Sequence, residues 1–392
     1  MKEVVLVSGA RTAVGKFGGS LMDYPAPDLM GLIIKESLSR AGVAPELVAD
    51  VVVGQCMQRT DELVTGRLAG LKAGCPISVP GVTIQRNCAS GMQAVIYAAQ
   101  QIMLGDEDVM VAGGVEVMSR VPYCLNEARW GKRLQHGTMS DGVWDGLTDL
   151  WSGLIMGLTA ENLAEKYGIS REEQDEVAVR SHNNAEAAIK EGRFKEEIMP
   201  VEIPQKKGDP LVFDTDEHLR YGLTMEQVSK LKPTFKKDGT VTAANASGIN
   251  DAAAAVVLMS ADKAKDMGIE PLAKLRGYGI AGVEPELMGY GPVPATNKAM
   301  EKTGMSLADM ELIELNEAFA AQYLACEKLL GLNRDITNVN GSGIALGHPV
   351  GCTGARIIVS LIHEMKKRGN TLGLASLCVG GGMGAASIWE ML

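Results

Sequence analysis

The feature that most restricts how this 392-residue chain can fold is a diffuse internal repeat. Arg40-Ala41-Gly42-Val43, then Glu46-Leu47 and the buried-type run Val51-Val52-Val53-Gly54, is echoed 262 positions later. There the chain reads Lys302-Thr303-Gly304-Met305, Ala308-Asp309 and Ile313-Glu314-Leu315-Asn316. Farther on the offset becomes 264: Cys88, ahead of the apolar helix pattern Met92 to Leu104, matches Cys352, ahead of Ala355 to Met365. Gly105 matches Gly369, and the strand pattern Asp108 to Gly114 matches Leu372 to Cys378. Two halves with one strand–helix order predict a duplicated α/β fold about a pseudo-two-fold axis.

Between the halves the texture changes. Residues 119–248 carry Trp130, Trp144 and Trp151, charge runs such as Glu161 to Glu176, and a charged amphipathic helix pattern from Arg171 to Glu191. This stretch reads as an insertion over the core, where a long excursion at the strand ends forms a lid or binding loop. The expected division is therefore 1–118 with 249–270 as the N-terminal half, 119–248 as the insertion, and 271–392 as the C-terminal half.

Composition narrows the function. The net charge of −10 argues against a general nucleic-acid binder, though an anionic small ligand needs only a local basic patch. Glycine, 46 of 392 residues against a usual ~7%, suggests tight turns and close backbone approaches to something bound. Seven scattered cysteines without a CxxC pair are no disulfide framework, no metal site is expected, and a reducing, cytoplasmic setting fits. The start, Met1-Lys2-Glu3 and a short apolar run, lacks the pattern of a signal peptide, and no apolar run approaches a membrane span.

Four motifs can carry chemistry. Asn87-Cys88-Ala89-Ser90-Gly91 puts a cysteine at a helix start, where unpaired N–H groups would lower its pKa and make it a nucleophile. The glycine-rich stretch Gly341 to Gly354 holds His348 beside Pro349 in what reads as a rigid loop; histidine suits proton transfer near neutral pH. The other histidines, His136, His182, His218 and His363, sit in polar contexts and read as solvated. Cys378 ends a strand before Gly380-Gly381-Gly382, placing a thiol beside backbone N–H groups that can hold an oxyanion. Asn316 of Asn316-Glu317-Ala318-Phe319 closes another strand, as a helix cap or the holder of a water. Neither GxGxxG after the first strand nor GxxxxGK[ST] is present, which disfavours a nucleotide loop. The repeat places all four motifs on one rim, and two thiols, an imidazole and an asparagine there suit acyl transfer.

On these motifs the chain resembles the thiolase family over essentially its whole length, and Asn245 to Asp251 looks like that family's coenzyme A loop. The resemblance implies a duplicated thiolase-like α/β fold, two mixed sheets with helices in layers (αβαβα), plus an inserted loop domain. It implies Cys88 as acyl-carrying nucleophile, His348 as its base, Cys378 as the α-carbon proton shuttle, and Asn316 and Gly380 as oxyanion supports. Coenzyme A and acyl-CoA would be substrates, with no permanently bound cofactor. Arg220 would lie near the adenine and phosphate end, and Leu147, Met156, Phe235, Ala243, Ser247, Ala318 and Phe319 along the pantetheine channel. A homodimer or homotetramer is implied, with Arg120 to Ser140 as a tetramer contact. Ile155 stands where short-chain members usually carry histidine, so acyl length is left open. The rival readings are an inactive acyl-CoA- or lipid-binding relative, and a ketoacyl synthase-like enzyme, which would want histidine at Cys378.

Overall fold

The computed structural model describes residues 1–392. The first half contributes β1 (Val4–Thr12), α1 (Ala26–Ala41), β2 (Asp50–Gly54), β3 (Gly81–Ile84), α2 (Ser90–Leu104) and β4 (Val109–Val117). After the insertion, which holds α3 (Met156–Tyr167) and α4 (Arg171–Lys190), β5 (Asn250–Ser260) completes this half. The second half runs β6 (Ala273–Gly282), α5 (Pro292–Thr303), β7 (Leu312–Leu315), α6 (Ala320–Leu330), α7 (Val350–Arg368), β8 (Leu372–Val379) and β9 (Met383–Met391).

Strand order repeats as the offsets predict. In the first half it is β1-β5-β4-β2, with β1/β5 and β5/β4 antiparallel and β4/β2 parallel. In the second it is β6-β9-β8-β7, with the same sequence of antiparallel, antiparallel and parallel pairings. Even the opening strands correspond, since β1 and β6 each carry one register shift. Parallel β3 extends the first half alone and forms an outer edge. The two expected sheets meet edge to edge through only two residue pairs, Val5 with Lys274 and Leu6 with Ala273, so hydrogen bonding runs on into one eleven-stranded sheet.

The related helices α2 and α7 cross where each carries a glycine. A Cβ on Gly91 would lie 2.8 Å from the Ala355 nitrogen, and one on Gly354 would lie 2.5 Å from the Met92 nitrogen. This corrects the loop reading of Gly341 to Gly354. A short turn spans Gly343–Leu346, and α7 already begins at Val350, so Gly351 and Gly354 are helical. They serve close backbone approach rather than bending. The crossing lies in a core that includes Val52, Met110, Val256, Ile357 and Leu377.

The insertion also carries two small hairpins, Tyr123–Cys124 with Ser140–Asp141 and Val201–Ile203 with Leu211–Phe213. Its long helix α4 starts with a capping box between Ser170 and Glu173. A buried ion cluster fastens the insertion to β1: Arg11 meets Glu197 at 2.6 Å and Asp216 at 2.7 Å.

Candidate active site

Cys88 sits on a sharp turn between β3 and α2, not inside the helix. Asn87 takes a left-handed φ of 41°, which asparagine tolerates better than most residues. Ser90 closes the turn, its Oγ accepting from the Arg86 N–H at 2.9 Å and donating to the Asn87 carbonyl at 2.7 Å. The expected lowering of the Cys88 pKa is overturned. Burial pushes the thiol up to about 11, outweighing the N–H groups of Gly380 and of Cys88 itself, which favour the thiolate. The resting group is a neutral thiol, so it needs a base.

His348 supplies one from the gap between Gly343–Leu346 and α7. Its backbone N–H donates to Asn250 Oδ1 at 3.0 Å, and Asn250 Nδ2 donates to the Gly15 carbonyl, tying the imidazole's anchor to the first half. Nδ1 lies 2.7 Å from Thr353 Oγ1, while Thr353 Oγ1 is 3.0 Å from the Pro349 carbonyl. With the hydroxyl proton given to Pro349, Nδ1 keeps its own proton and Nε2 holds a lone pair. Nε2 is buried with no protein partner. Burial first, and the Arg356 charge second, lower the pKa to about 3. Asn316, just past β7, brings Nδ2 to 3.4 Å from Nδ1.

Cys378 is the penultimate residue of β8 and 1% exposed; burial raises its thiol well above the usual value, and a negative charge on Cys88 would raise it further. Asn87 Nδ2 donates to the Gly380 carbonyl at 2.8 Å, so the turn bearing the first cysteine holds the turn following the second.

One cavity of about 420 Å³ collects these groups. Cys88, His348 and Cys378 share its lining with Leu147, Met156, Arg220 and Phe235, and with Ala243, Ser247, Ala318 and Phe319. Asn316 stands behind His348, and Gly380 lines an adjoining space of about 1010 Å³ that meets the first at Cys88, Leu147, Met156 and Val350. Two backbone bonds fix one wall: Ser247 N–H to the Ala318 carbonyl and Ala320 N–H to the Asn245 carbonyl. Phe235 packs edge-on to Phe319 at 6.4 Å, over a site where a Cβ on Gly157 would collide. Arg220 is exposed and donates to the Ala243 carbonyl at 3.3 Å. Ile155, at the start of α3, also faces this cavity.

Other groups near the site carried no motif. Met288 lines the cavity from the turn before α5. Thr353 and Arg356 reach His348 and Asn316 from α7, a face legible only by stepping three and four residues along a helix that the glycines disguised. Glu116 accepts from the N–H groups of Cys56, Met57 and Gly351, a clamp between halves. The solvated reading fails for His182, which is 1% exposed and accepts the Arg220 N–H at 3.2 Å. His363 likewise is tied to the Gly9 carbonyl.

The chain is similar to known proteins along its whole length. The family models described as "Thiolase, N-terminal domain" and "Thiolase, C-terminal domain" match residues 4–262 and 269–391. An acetyl-CoA acetyltransferase of Cupriavidus necator is 54% identical over 387 residues, 98% of each chain. A beta-ketothiolase of the same organism is 49% identical over 393 residues, all of both. The crystal structure of a Bacillus anthracis acetyl-CoA acetyltransferase superposes with a TM-score of 0.98 at 54% identity, over 100% of this chain and 99% of that one. Human mitochondrial 3-ketoacyl-CoA thiolase in complex with CoA gives 0.96 at 44% identity, over 100% and 98%.

Proposed function

Because this chain belongs to the thiolase family and is an acyltransferase, we propose that it exchanges acyl groups between coenzyme A thioesters by a ping-pong route through an acyl-Cys88. Cys88 Sγ attacks the 3-keto carbonyl of a 3-ketoacyl-CoA while His348 Nε2 takes the thiol proton. The carbon–carbon bond then breaks, leaving an acyl thioester on Cys88 and the enolate of acetyl-CoA. Cys378 gives that enolate its proton and regains one from the thiol of coenzyme A as that sulfur attacks the acyl-enzyme; acyl-CoA leaves, and His348 returns its proton to Cys88. Run backwards, with acetyl-CoA as acyl donor, the same steps condense two acetyl-CoA into acetoacetyl-CoA.

The observation that carries this reading is one cavity lined by both thiols and by a buried imidazole whose Nε2 has no other partner. The resting pair is neutral, a thiol near 11 beside an imidazole near 3, so proton transfer and carbonyl attack must proceed together. Oxyanion support comes from the Cys88 and Gly380 N–H groups for the acyl step. His348 with a water on Asn316 serves the enolate; each aimed donor is worth about 2.7–4 kcal/mol. Coenzyme A is a substrate here rather than a resident cofactor, lying along Ser247, Ala318 and Phe319 with Arg220 at the mouth.

Seven unpaired thiols support a reducing, cytoplasmic setting. The open edge at β3 and the exposed Trp130 and Leu134 support a homo-oligomer. No helix is long and apolar enough to cross a membrane.

Mass spectrometry after mixing with acetyl-CoA tests the assignment. One acetyl group should appear on Cys88 in the wild type, none in Cys88→Ala. Cys378→Ser should keep the label yet lose carbon–carbon cleavage. Thiolysis surviving in Cys88→Ala would end the proposal. Initial rates with acetoacetyl-CoA and longer 3-ketoacyl-CoA substrates then settle acyl length.

A further inference from the structure

Behind His348 and Asn316 lies a charge that the acyl-transfer scheme does not use. Arg356, on α7, is 1% exposed. Its Nη2 donates to Asn316 Oδ1 at 3.4 Å, and Nη1 stands 3.9 Å from Glu314 Oε2. Nε and Nη1 have no hydrogen-bond partner, and neither has Glu314 Oε2. Interiors rarely keep a guanidinium so poorly paired, because desolvation penalises it heavily. An arginine retained only for packing would be fully bonded, as Arg11 is with Glu197 and Asp216.

We propose that Arg356 is a positioning residue for this site: it turns the Asn316 amide so that Nδ2 faces His348, and it fixes a positive charge behind the imidazole. The proposal rests on His348 acting as base in the acyl transfer above. An asparagine amide has two nearly isosteric orientations. Arg356 can only donate, so it selects the one with Oδ1 toward itself and Nδ2 toward the site. The opposite orientation would set the Asn316 NH2 against the guanidinium, donor against donor, and leave Oδ1 toward the site. The charge acts separately, disfavouring a second positive charge on the ring; Arg356 is the one charged neighbour that adds to burial in lowering the His348 pKa. The charged and titratable groups around Arg356 are Glu314 on β7, Arg11 on β1, Asp216 in the insertion and Cys352 on its own helix. Glu314 in turn faces Glu197, Glu317 and Glu364.

Three proteins test this: wild type, R356M and R356K. R356M should lose at least tenfold in kcat with KM for the acyl-CoA within about twofold, since no cavity contact changes. Its acid limb of kcat/KM should move to higher pH by about one unit, as the imidazole is freed from the neighbouring cation. R356K keeps a cation but not the fork, so it should hold the wild-type acid limb and still lose kcat. Wild-type kcat with an unmoved acid limb in R356M overturns the role. If R356M does not fold, wild-type kcat in R356K overturns it instead. Acylation of wild-type Cys88 is measured alongside: its absence defeats the acyl-enzyme reading and this role with it, whereas normal acylation with unaltered variants defeats the positioning role alone.

Discussion

Asn87 Nδ2 donates 2.8 Å to the carbonyl oxygen of Gly380, so a residue beside the first cysteine holds in place the loop that follows the second. The tie matters because the Gly380 N–H is one of the groups that favour the Cys88 thiolate. Removing the tie frees the Gly380 peptide to tilt its donor away. Asn87→Ala should therefore lower kcat by roughly ten- to a hundredfold, the scale of an ångström's misplacement of an oxyanion donor. Slower Cys88 acylation with an unchanged unfolding midpoint is the expected pair of readings; a loss traced wholly to unfolding would remove Gly380 from the scheme.

Glu116 should matter to stability more than its single charge implies. Three backbone N–H groups converge on it, two from Cys56 and Met57 and one from Gly351 in the first turn of α7. Glu116→Ala strands all three, that of Gly351 in full burial and the other two half-buried, with an expected cost of about 3 kcal/mol. Glu116→Gln keeps an acceptor and should cost less than half of that. Urea unfolding measures both, and an alanine variant within about 1 kcal/mol of the wild type would show that water replaces the clamp.

His182 makes a pH prediction with a definite sign. Burial first, then the charges of His218 and Arg220, hold it at about 3, well below the usual histidine value. Between the two values the unfolded chain binds the extra proton and the folded protein does not, so stability rises with pH. The contribution is complete above ordinary histidine pKa and is lost as pH falls toward 3. From about pH 7 to about pH 5 this amounts to about 2 kcal/mol for one such group. His182→Asn, which keeps an acceptor for the Arg220 N–H, should flatten the fall in Tm over that interval by about 2 °C. An identical slope in the variant would mean that the imidazole is already protonated in the fold.

The α2–α7 crossing gives a steric test. A Cβ on Gly354 would lie 2.5 Å from the Met92 nitrogen, and backbone cannot swing aside as a side chain does. Gly354→Val should lower stability by about 3 kcal/mol or more, whereas Gly369→Asn, at a helix end with positive φ and open space, should change it by under about 1 kcal/mol. Equal unfolding midpoints for the two variants would mean that the helices separate at no cost.

The strand order was legible because repeated offsets constrain topology even where side chains have diverged, as with Val51-Val52-Val53 and Ile313-Glu314-Leu315. The cysteines and His348 stood out for a different reason: each sits among small residues that leave its surroundings no other evident use. Arg356 and His182 were hidden because a polar residue on a helix is ordinarily solvent-facing, and only tertiary packing turns these two inward. The pKa of Cys88 failed for a related cause. Local position at a helix start argues for thiolate, but depth in the fold, which no local pattern encodes, argues more strongly for thiol. The glycines after His348 misled in the same way: they answer a neighbouring helix, not a need for bending.

Between β1 and β6 the sheet is continuous through only two residue pairs, yet Cys88 comes from one side of that seam and His348, Cys378 and Asn316 from the other. Neither half therefore owns the full set of groups that line the cavity. Register across that seam depends less on strand pairing than on the crossed helices and the single carboxylate that bridge it.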